Sequence, residues 1–179
     1  METFTEFRPL VVDPHYQDRK RRCINELNID ELDAPISGLI EGLNDFSFCF
    51  TMQSCFGHFL YEGQENANNI EPLPHTDPIQ AVEYRIAYVA FCIENSSSGK
   101  EFLGWLKPIA EIDPTFIQFG CAEWFWERSP NSYVLQVEPE RHMLKDTCTI
   151  DYQEACNVEM VRNQFYDHLM MLVSTIHRP

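Results

Sequence analysis

The chain has 179 residues, of which 44% are hydrophobic and 13% aromatic, and its 28 acidic and 13 basic residues give a formal net charge of −15. This composition excludes a disordered chain, because enough apolar surface is available to offset the entropy lost on folding. The charge disfavours nucleic acid as a partner, since binding to a phosphate backbone depends on neutralising it. The length fits a single domain over residues 1–179.

The cysteines and the apolar segments indicate the cellular compartment in which the protein is expected. No stretch approaches the ~20 apolar residues of a transmembrane helix. The first nine residues lack the apolar core of a secretory signal. The seven cysteines are widely spaced and include no Cys-x-x-Cys pair, which argues against a zinc ribbon or a thioredoxin-type motif. We therefore expect a cytoplasmic protein with reduced thiols and no membrane partner.

The N-terminal part predicts two helices and a strand. Residues 1–13 are expected to be irregular, and a polar helix is expected over residues 14–28. A second helix is expected to follow Asp33, which can cap it. From Phe46 to Gln53, large apolar residues alternate with small polar ones, which predicts a strand. Its polar face carries no charge, so we expect that face to line a pocket or to meet another layer.

A long loop and a buried strand are predicted next. Residues 62–83 contain three prolines and little periodicity, which is typical of a functional lid or of a tolerated insertion. Tyr84–Glu94 is apolar on both faces and predicts a central strand. Arg85 lies in this stretch and is expected to be buried. A buried guanidinium must be paired, so it contacts a carboxylate such as Glu123 or binds an anion in a pocket.

The C-terminal part completes the predicted fold. A helix capped by Ser98 and Glu101 is followed by a strand over residues 116–127 and its hairpin partner over 133–138. Residues 139–149 are expected to be loop, and a long amphipathic helix covers about 151–176. This order predicts an α+β fold, a single domain with one mixed β-sheet of four or more strands covered by helices.

One segment resembles a known family. The amphipathic helix from Asp33 to Asn44 leads into Phe50-Thr-Met-Gln-Ser-Cys-Phe-Gly-His58. This resembles the family of the third wybutosine-synthesising protein, in which such a helix precedes a strand ending in Thr-Thr-Ser-Ser-Cys-Ser-Gly-Arg. The matching positions are Thr51, Ser54, Cys55 and Gly57, and the departures are Gln53, Phe56 and His58. The resemblance covers about residues 33–59.

The resemblance implies an activity. The family transfers a methyl group from S-adenosylmethionine to a hypermodified guanosine in phenylalanine tRNA. S-adenosylmethionine is therefore the first cofactor to test, although no Gly-x-Gly-x-x-Gly loop follows a predicted strand. We expect a small-ligand-binding protein or a methyltransferase-like enzyme that acts on a small molecule, with its site at the turn Ser54–His58.

This turn contains the candidate catalytic residues, Cys55 and His58. Gly57 allows a sharp turn that could bring the imidazole back toward the thiol, and an adjacent imidazolium favours a nucleophilic thiolate. The alternative is that Cys55 packs as a small apolar residue and that His58 bonds a backbone carbonyl. The candidate ligand contacts are Thr51, Gln53, Ser54, Gly57, Arg85, Trp124 and Trp126.

A metal site is the weaker alternative for this turn. Cys55 and His58 with His75 could supply ligands, but the chain lacks standard zinc spacing, and we predict no metal ligands.

Two tryptophans support a second functional hypothesis. Trp124 and Trp126 alternate along the predicted strand and would share one face, which suits ligand stacking, core packing or a dimer contact. The alternative function is therefore a non-catalytic, homo-oligomerising interaction protein that uses the Trp124/Trp126 hairpin.

Overall fold

The computed structural model describes residues 4–5, 7–75, 79–139 and 146–177. The strands are β1 (Phe4–Thr5), β2 (Cys49–Cys55), β3 (His58–Tyr61), β4 (Ala81–Arg85), β5 (Ala87–Ile93), β6 (Ile117–Ala122), β7 (Ser132–Val137) and β8 (Thr147–Asp151). The helices are α1 (Tyr16–Glu26), α2 (Ser37–Asp45), α3 (Ser97–Ala110), α4 (Glu123–Arg128) and α5 (Tyr152–Ile176). Among these helices, none is both long enough and apolar enough to cross a membrane.

The strands form two sheets. The larger sheet has the order β1-β6-β7-β5-β2, and the smaller sheet has the order β3-β4-β8. Neighbouring strands are antiparallel in both sheets. The α+β class and the long C-terminal helix are confirmed. The single mixed sheet is wrong, because the predicted strands are divided between two antiparallel sheets.

Helices cover both faces of the larger sheet. Val89, Phe91 and Ile93 of β5 pack in the main core, which also holds apolar residues of α2, α3 and α5. On the other face, Ala90 packs against Phe125 of α4, and Cys92 lies in a cluster with Tyr16 of α1. Because both faces of β5 are covered, the run of apolar residues has no polar alternation.

The predicted strand over residues 84–94 is two strands in different sheets. The chain leaves the smaller sheet after Arg85 and joins the larger sheet at Ala87. Between them, the backbone N–H of Ile86 donates to the carbonyl of Asp146 at 3.0 Å, one residue beyond the last pair of β4 and β8, Arg85 with Thr147.

The opposite strand bends at the same level. Cys55 at the end of β2 pairs with Tyr88, and His58 at the start of β3 pairs with Arg85. The register is therefore the same on both sides of the bend. Residues 49–61 and 81–93 together form one long hairpin whose arms pass from the larger sheet into the smaller sheet; we call this feature the bent hairpin.

A β-bulge changes the alternation within β2. Thr51 lies opposite Phe91, whereas Gln53 lies opposite Ala90, so Met52 is the extra residue. Phe91 and Ala90 face opposite sides of the sheet, so Thr51 and Gln53 do as well. The predicted common polar face of this strand is therefore wrong. The strand also begins at Cys49 rather than at Phe46.

Several element boundaries differ from the expectations. Phe4–Thr5 pairs with Cys121–Ala122, so the first 13 residues are not wholly irregular. The loop after β3 ends where β4 begins at Ala81, and its residues 76–78 lie outside the described residues. Of the loop expected over residues 139–149, residues 140–145 lie outside the described residues, and Thr147 already belongs to β8.

The helix starts also differ. The side chain of Ser96, rather than Ser98, accepts a hydrogen bond from the Gly99 N–H and so caps α3. The predicted strand over residues 116–127 ends at Ala122, where the chain turns into α4. Trp124 and Trp126 therefore lie on a short helix and not on a hairpin strand.

Candidate functional site

The bend of the hairpin brings three reactive side chains together. Gly57 has a φ of 91°, in the left-handed region that glycine adopts without strain. The resulting turn lets His58 approach Cys55, and Asp33 joins them from the segment before α2. One carboxylate oxygen, the thiol sulfur and one ring nitrogen all lie within 4.8 Å of one another. We call these three residues the Asp33–Cys55–His58 cluster.

Asp33 is held at the bend by the backbone. Its Oδ2 atom accepts a hydrogen bond from the Phe56 N–H at 2.7 Å and lies 3.3 Å from Nε2 of His58. The carboxylate makes no capping hydrogen bond to the helical turn that follows it. The predicted helix cap is therefore wrong, and the carboxylate instead joins the N-terminal segment to the hairpin.

The ring of His58 has a defined orientation. Its Nδ1 atom lies 3.1 Å from the backbone carbonyl oxygen of Asn69, which can only accept, so Nδ1 carries a hydrogen. Nε2 therefore points toward Asp33 and Cys55. Hydrogen bonds to Asp33 and then to Cys55 raise the pKa of His58 to about 10, although burial of the ring opposes this shift. At neutral pH the ring is an imidazolium that donates hydrogen bonds.

The carboxylate of Asp33 is the matching anion. Burial would raise its pKa, but hydrogen bonds from His58 and the Phe56 N–H, together with the charges of His58 and Arg85, outweigh burial and lower it. Asp33 and His58 thus form an ion pair in which the imidazole side chain is 2% exposed.

Two side chains of helix α5 form hydrogen bonds with the backbone of the turn at Gly57. The buried Arg162 donates from its Nη1 atom to the carbonyl oxygen of Gly57 at 3.0 Å, and its guanidinium lies 4.1 Å from the ring centre of Phe56. The hydroxyl of Tyr166 donates to the carbonyl oxygen of Cys55. These contacts fix the backbone on both sides of the turn.

The cluster opens into a cleft beside β2, the last strand of the larger sheet. A cavity of about 240 Å³ is lined by the cluster together with Asn68 and Arg85. A second cavity of about 420 Å³ is lined by Glu26, Thr51, Met52, Gln53 and Tyr88, among others. Both cavities share Glu31, Leu32 and Ser54 as lining residues, so they adjoin along this wall.

The predicted site residues of β2 line this cleft, and so does His58 of β3. Cys55 and His58 meet at the smaller cavity, and Thr51, Gln53 and Ser54 line the larger one. The hydroxyl of Thr51 is already bonded to the Asn44 side chain of α2 at 3.0 Å. Gly57 contributes to the site through its backbone conformation, which forms the turn between Cys55 and His58.

The prediction for Arg85 is corrected. Its side chain is exposed rather than buried, and Nη1 lies 3.4 Å from Oδ1 of Asn68. Glu123 is paired with Arg8 instead, at 3.5 Å. The reason is the division of the strand, which places Arg85 on an exposed face of the smaller sheet, where it borders the smaller cavity.

The two tryptophans lie away from the cleft. The guanidinium of Arg128 lies 3.2 Å from the ring centre of Trp124. Trp126 packs edge-on against Tyr133 at 5.9 Å and lies under Arg8 at 5.3 Å. Neither ring lines either cavity. The strands β6 and β7 do pair, but both tryptophans lie on α4 between them and not on a strand of that hairpin. A homodimer stays a prediction.

The sequence did not identify Asp33, Tyr88 or the carbonyl of Asn69 as parts of the site. The available signal for Asp33 was its position at the start of the segment that carries the family resemblance. Asn69 lies in the loop that was predicted as a lid or an insertion, and its side chain is buried. His75 from the same loop does not join the cluster.

Comparison with known proteins identifies a fold and no function. No family model matches the chain, and no curated protein matches it. A solved structure, the PH1069 protein from Pyrococcus horikoshii, is 13% identical to this chain, with a TM-score of 0.51. The likeness covers 90% of this chain and 94% of that chain. The chain therefore shares its overall fold with the PH1069 protein.

Proposed function

We propose that the chain is a small-ligand-binding enzyme that transfers a methyl group from S-adenosylmethionine to a small acceptor. The observation that supports this proposal is the convergence of the Asp33–Cys55–His58 cluster on a cleft. The cluster belongs to the same segment, residues 33–59, that resembles the methyltransferase family.

The larger cavity suits the adenosine part of the donor. Its volume of about 420 Å³ falls within the range of sites for small ligands. Glu26, which lines this cavity, offers a carboxylate that can accept hydrogen bonds from ribose hydroxyls. The Tyr88 hydroxyl lies 3.3 Å from Oε1 of Gln53, so its ring is held beside the cavity for contact with a planar base.

The smaller cavity suits the amino-acid part of the donor. Arg85 and the His58 imidazolium supply positive charge for a carboxylate, and Glu31 supplies negative charge for an ammonium group. The sulfonium would then lie near the wall shared by the two cavities, beside Ser54 and Glu31. A carboxylate at this position stabilises a sulfonium cation.

The reaction requires no covalent intermediate on the protein. Bound S-adenosylmethionine would supply an activated methyl group: a lone pair of the acceptor would form the new bond to the methyl carbon as the carbon–sulfur bond breaks, which would leave S-adenosylhomocysteine with a neutral thioether sulfur. The positive charge moves to the acceptor, whose proton leaves to solvent. The charge of −15 favours a small acceptor over a polynucleotide, because a polyanion is repelled.

The test is calorimetric titration and thermal unfolding with S-adenosylmethionine and S-adenosylhomocysteine. A ligand that binds only the native state stabilises it by about 2.7 kcal/mol at one hundred times its Kd. We expect Arg85→Ala, His58→Ala and Cys55→Ser each to weaken binding, since all three line the smaller cavity. Arg128→Ala is the matched control, because it removes an exposed arginine on α4.

Absence of binding to the wild-type chain by both methods would refute this cofactor. Equal binding by wild type and Arg85→Ala would instead refute the placement of the amino-acid part in the smaller cavity.

A further inference from the structure

We propose that Asp33, Cys55 and His58 form a mononuclear zinc site whose fourth coordination position opens into the smaller cavity. The three donor atoms are a carboxylate oxygen, a thiol sulfur and an imidazole nitrogen within 4.8 Å of one another. These are the ligand types that bind zinc in proteins. The inference rests on the geometry of these residues and does not require the methyl donor.

The distances suit a small cation. Zinc bonds of about 2.0 Å to nitrogen and oxygen and about 2.3 Å to sulfur, with tetrahedral angles, separate the ligand atoms by roughly 3.3–3.5 Å. Nε2 of His58 and Oδ2 of Asp33 are already 3.3 Å apart. The sulfur lies within 4.8 Å of the other two atoms, so it must approach each of them by about 1.3 Å at most.

The surrounding contacts orient the ligands. The carbonyl of Asn69 accepts the Nδ1 hydrogen of His58 at 3.1 Å, which leaves Nε2 as the atom directed at the cation. A metal-bound histidine commonly has such a partner on its other nitrogen. The Phe56 N–H holds the Asp33 carboxylate at 2.7 Å. Two of the three ligands are therefore positioned before a metal arrives.

The charges balance at this buried place. Binding of the dication would displace the Nε2 proton of the His58 imidazolium and the thiol proton of Cys55 to solvent. The filled site, with one thiolate and one carboxylate, then has a net charge of zero, which removes the cost of an unpaired charge next to the core. Three protein ligands with one open position is the arrangement of catalytic zinc sites, whereas structural sites use four protein ligands. The open position faces the cavity bordered by Asn68 and Arg85.

Sequence reasoning grouped Cys55 and His58 with His75 as possible ligands, and not with Asp33. The prediction of no metal ligands depended on spacing along the chain, and Asp33 lies far from the turn in sequence. It reaches the cluster only because the segment before α2 crosses the bend of the hairpin.

Cobalt(II) is the probe for the site, because a cobalt–thiolate bond absorbs in the near ultraviolet. The full chain is freed of metal with a chelator and titrated with Co²⁺, and Zn²⁺ is then added as a competitor. We expect a 1:1 complex with a thiolate charge-transfer band that Zn²⁺ removes. Cys55→Ser abolishes the band, and Asp33→Asn and His58→Gln each weaken Co²⁺ binding by about 100-fold or more, because loss of a ligand costs at least as much as loss of a residue that only orients one.

The matched control is Cys156→Ser, which removes a partly exposed thiol that is not part of the cluster. It should leave the band unchanged. A band that survives in Cys55→Ser, or no band in the wild type, overturns the zinc site. Circular dichroism of each variant shows whether it folds, and the second ligand variant replaces any that does not.

A second measurement separates this inference from the proposed function. S-adenosylmethionine is titrated into the chelator-treated protein. Donor binding without a cobalt band overturns the zinc site alone, whereas a cobalt band without donor binding overturns the methyl-donor proposal alone.

Discussion

Gly57 controls the site at the scale of single residues. Its φ of 91° excludes an unstrained side chain, and an added Cβ would lie 2.8 Å from the Cβ of Ala87 and 3.2 Å from Cδ of Arg162. Both neighbours are fixed, one in β5 and the other by its bond to the Gly57 carbonyl. The hairpin can therefore bend here only if this position has no side chain.

We predict that Gly57→Ala lowers the free energy of unfolding by about 3 kcal/mol, because backbone strain and overpacking add. Gly63→Ala is the matched control. It has a φ of 92° and nothing within 4 Å of an added Cβ, so it carries the strain alone, about 1 kcal/mol. Urea unfolding of the two variants measures the difference, and equal losses would contradict the steric argument.

The residues of the site were only partly predictable. Gly57 before His58 indicated that the imidazole could return to Cys55, because a turn is a local property. The role of Asp33 depends on the Phe56 N–H and on the His58 ring, which are distant along the chain. Nothing in the local pattern around Asp33 distinguishes this role from a helix cap.

At the scale of secondary-structure elements, Lys20 connects α1, α2 and β2. It lies on α1, and its Nζ atom donates to the carbonyl oxygens of Asn44 at 2.8 Å, of Cys49 at 2.6 Å, and of Phe46. Carbonyls at the C-terminal end of a helix lack partners within it, so this ammonium group serves the end of α2. It also fixes the entry of the chain into β2.

We predict that Lys20→Met lowers the free energy of unfolding by about 2 kcal/mol, because it leaves three carbonyls without this donor. Arg22→Met removes an exposed cation from the same helix and should change stability by less than about 0.5 kcal/mol. Thermal unfolding of both variants distinguishes them. A similar loss in both would indicate that charge alone, and not the hydrogen bonds of Lys20, is responsible.

The elements show where periodicity fails as a predictor. The strand predicted over Tyr84–Glu94 is divided at Ile86, where the chain passes from one sheet to the other. Neither glycine nor proline stands at this position, so no residue that typically ends a strand marks the division. The segment Glu123–Arg128 is compatible with the period of a helix and with that of a strand. It forms a helix, in which Phe125 packs against Val134. Such outcomes depend on the tertiary partners of a segment.

For the whole molecule, the fold class was predictable from the sequence, but the arrangement of the strands in sheets was not. The order of helices and strands was enough to predict an α+β domain with a long final helix. The division into two sheets was not predictable, because strand pairing joins residues far apart, such as Phe4 with Ala122. The alternation of one strand carries no information about its partner.

The net charge of −15 leads to a prediction for the whole molecule. Like charges repel more in the compact state than in the unfolded chain, and salt screens this repulsion. We predict that Tm rises by about 3 °C or more between about 0.01 M and 1 M potassium chloride, which corresponds to about 1 kcal/mol. Near the pI of 4.6 the rise should disappear. A constant or falling Tm at neutral pH would contradict this account.

The bent hairpin has a mechanical consequence for the cluster. Cys55 belongs to the larger sheet and His58 to the smaller sheet, and only Phe56 and Gly57 lie between them. The separation of the sulfur and the imidazole therefore reports the angle between the two sheets. A bond between these two side chains therefore restricts the angle between the sheets. A change in that angle alters the distance from each side chain to a bound molecule.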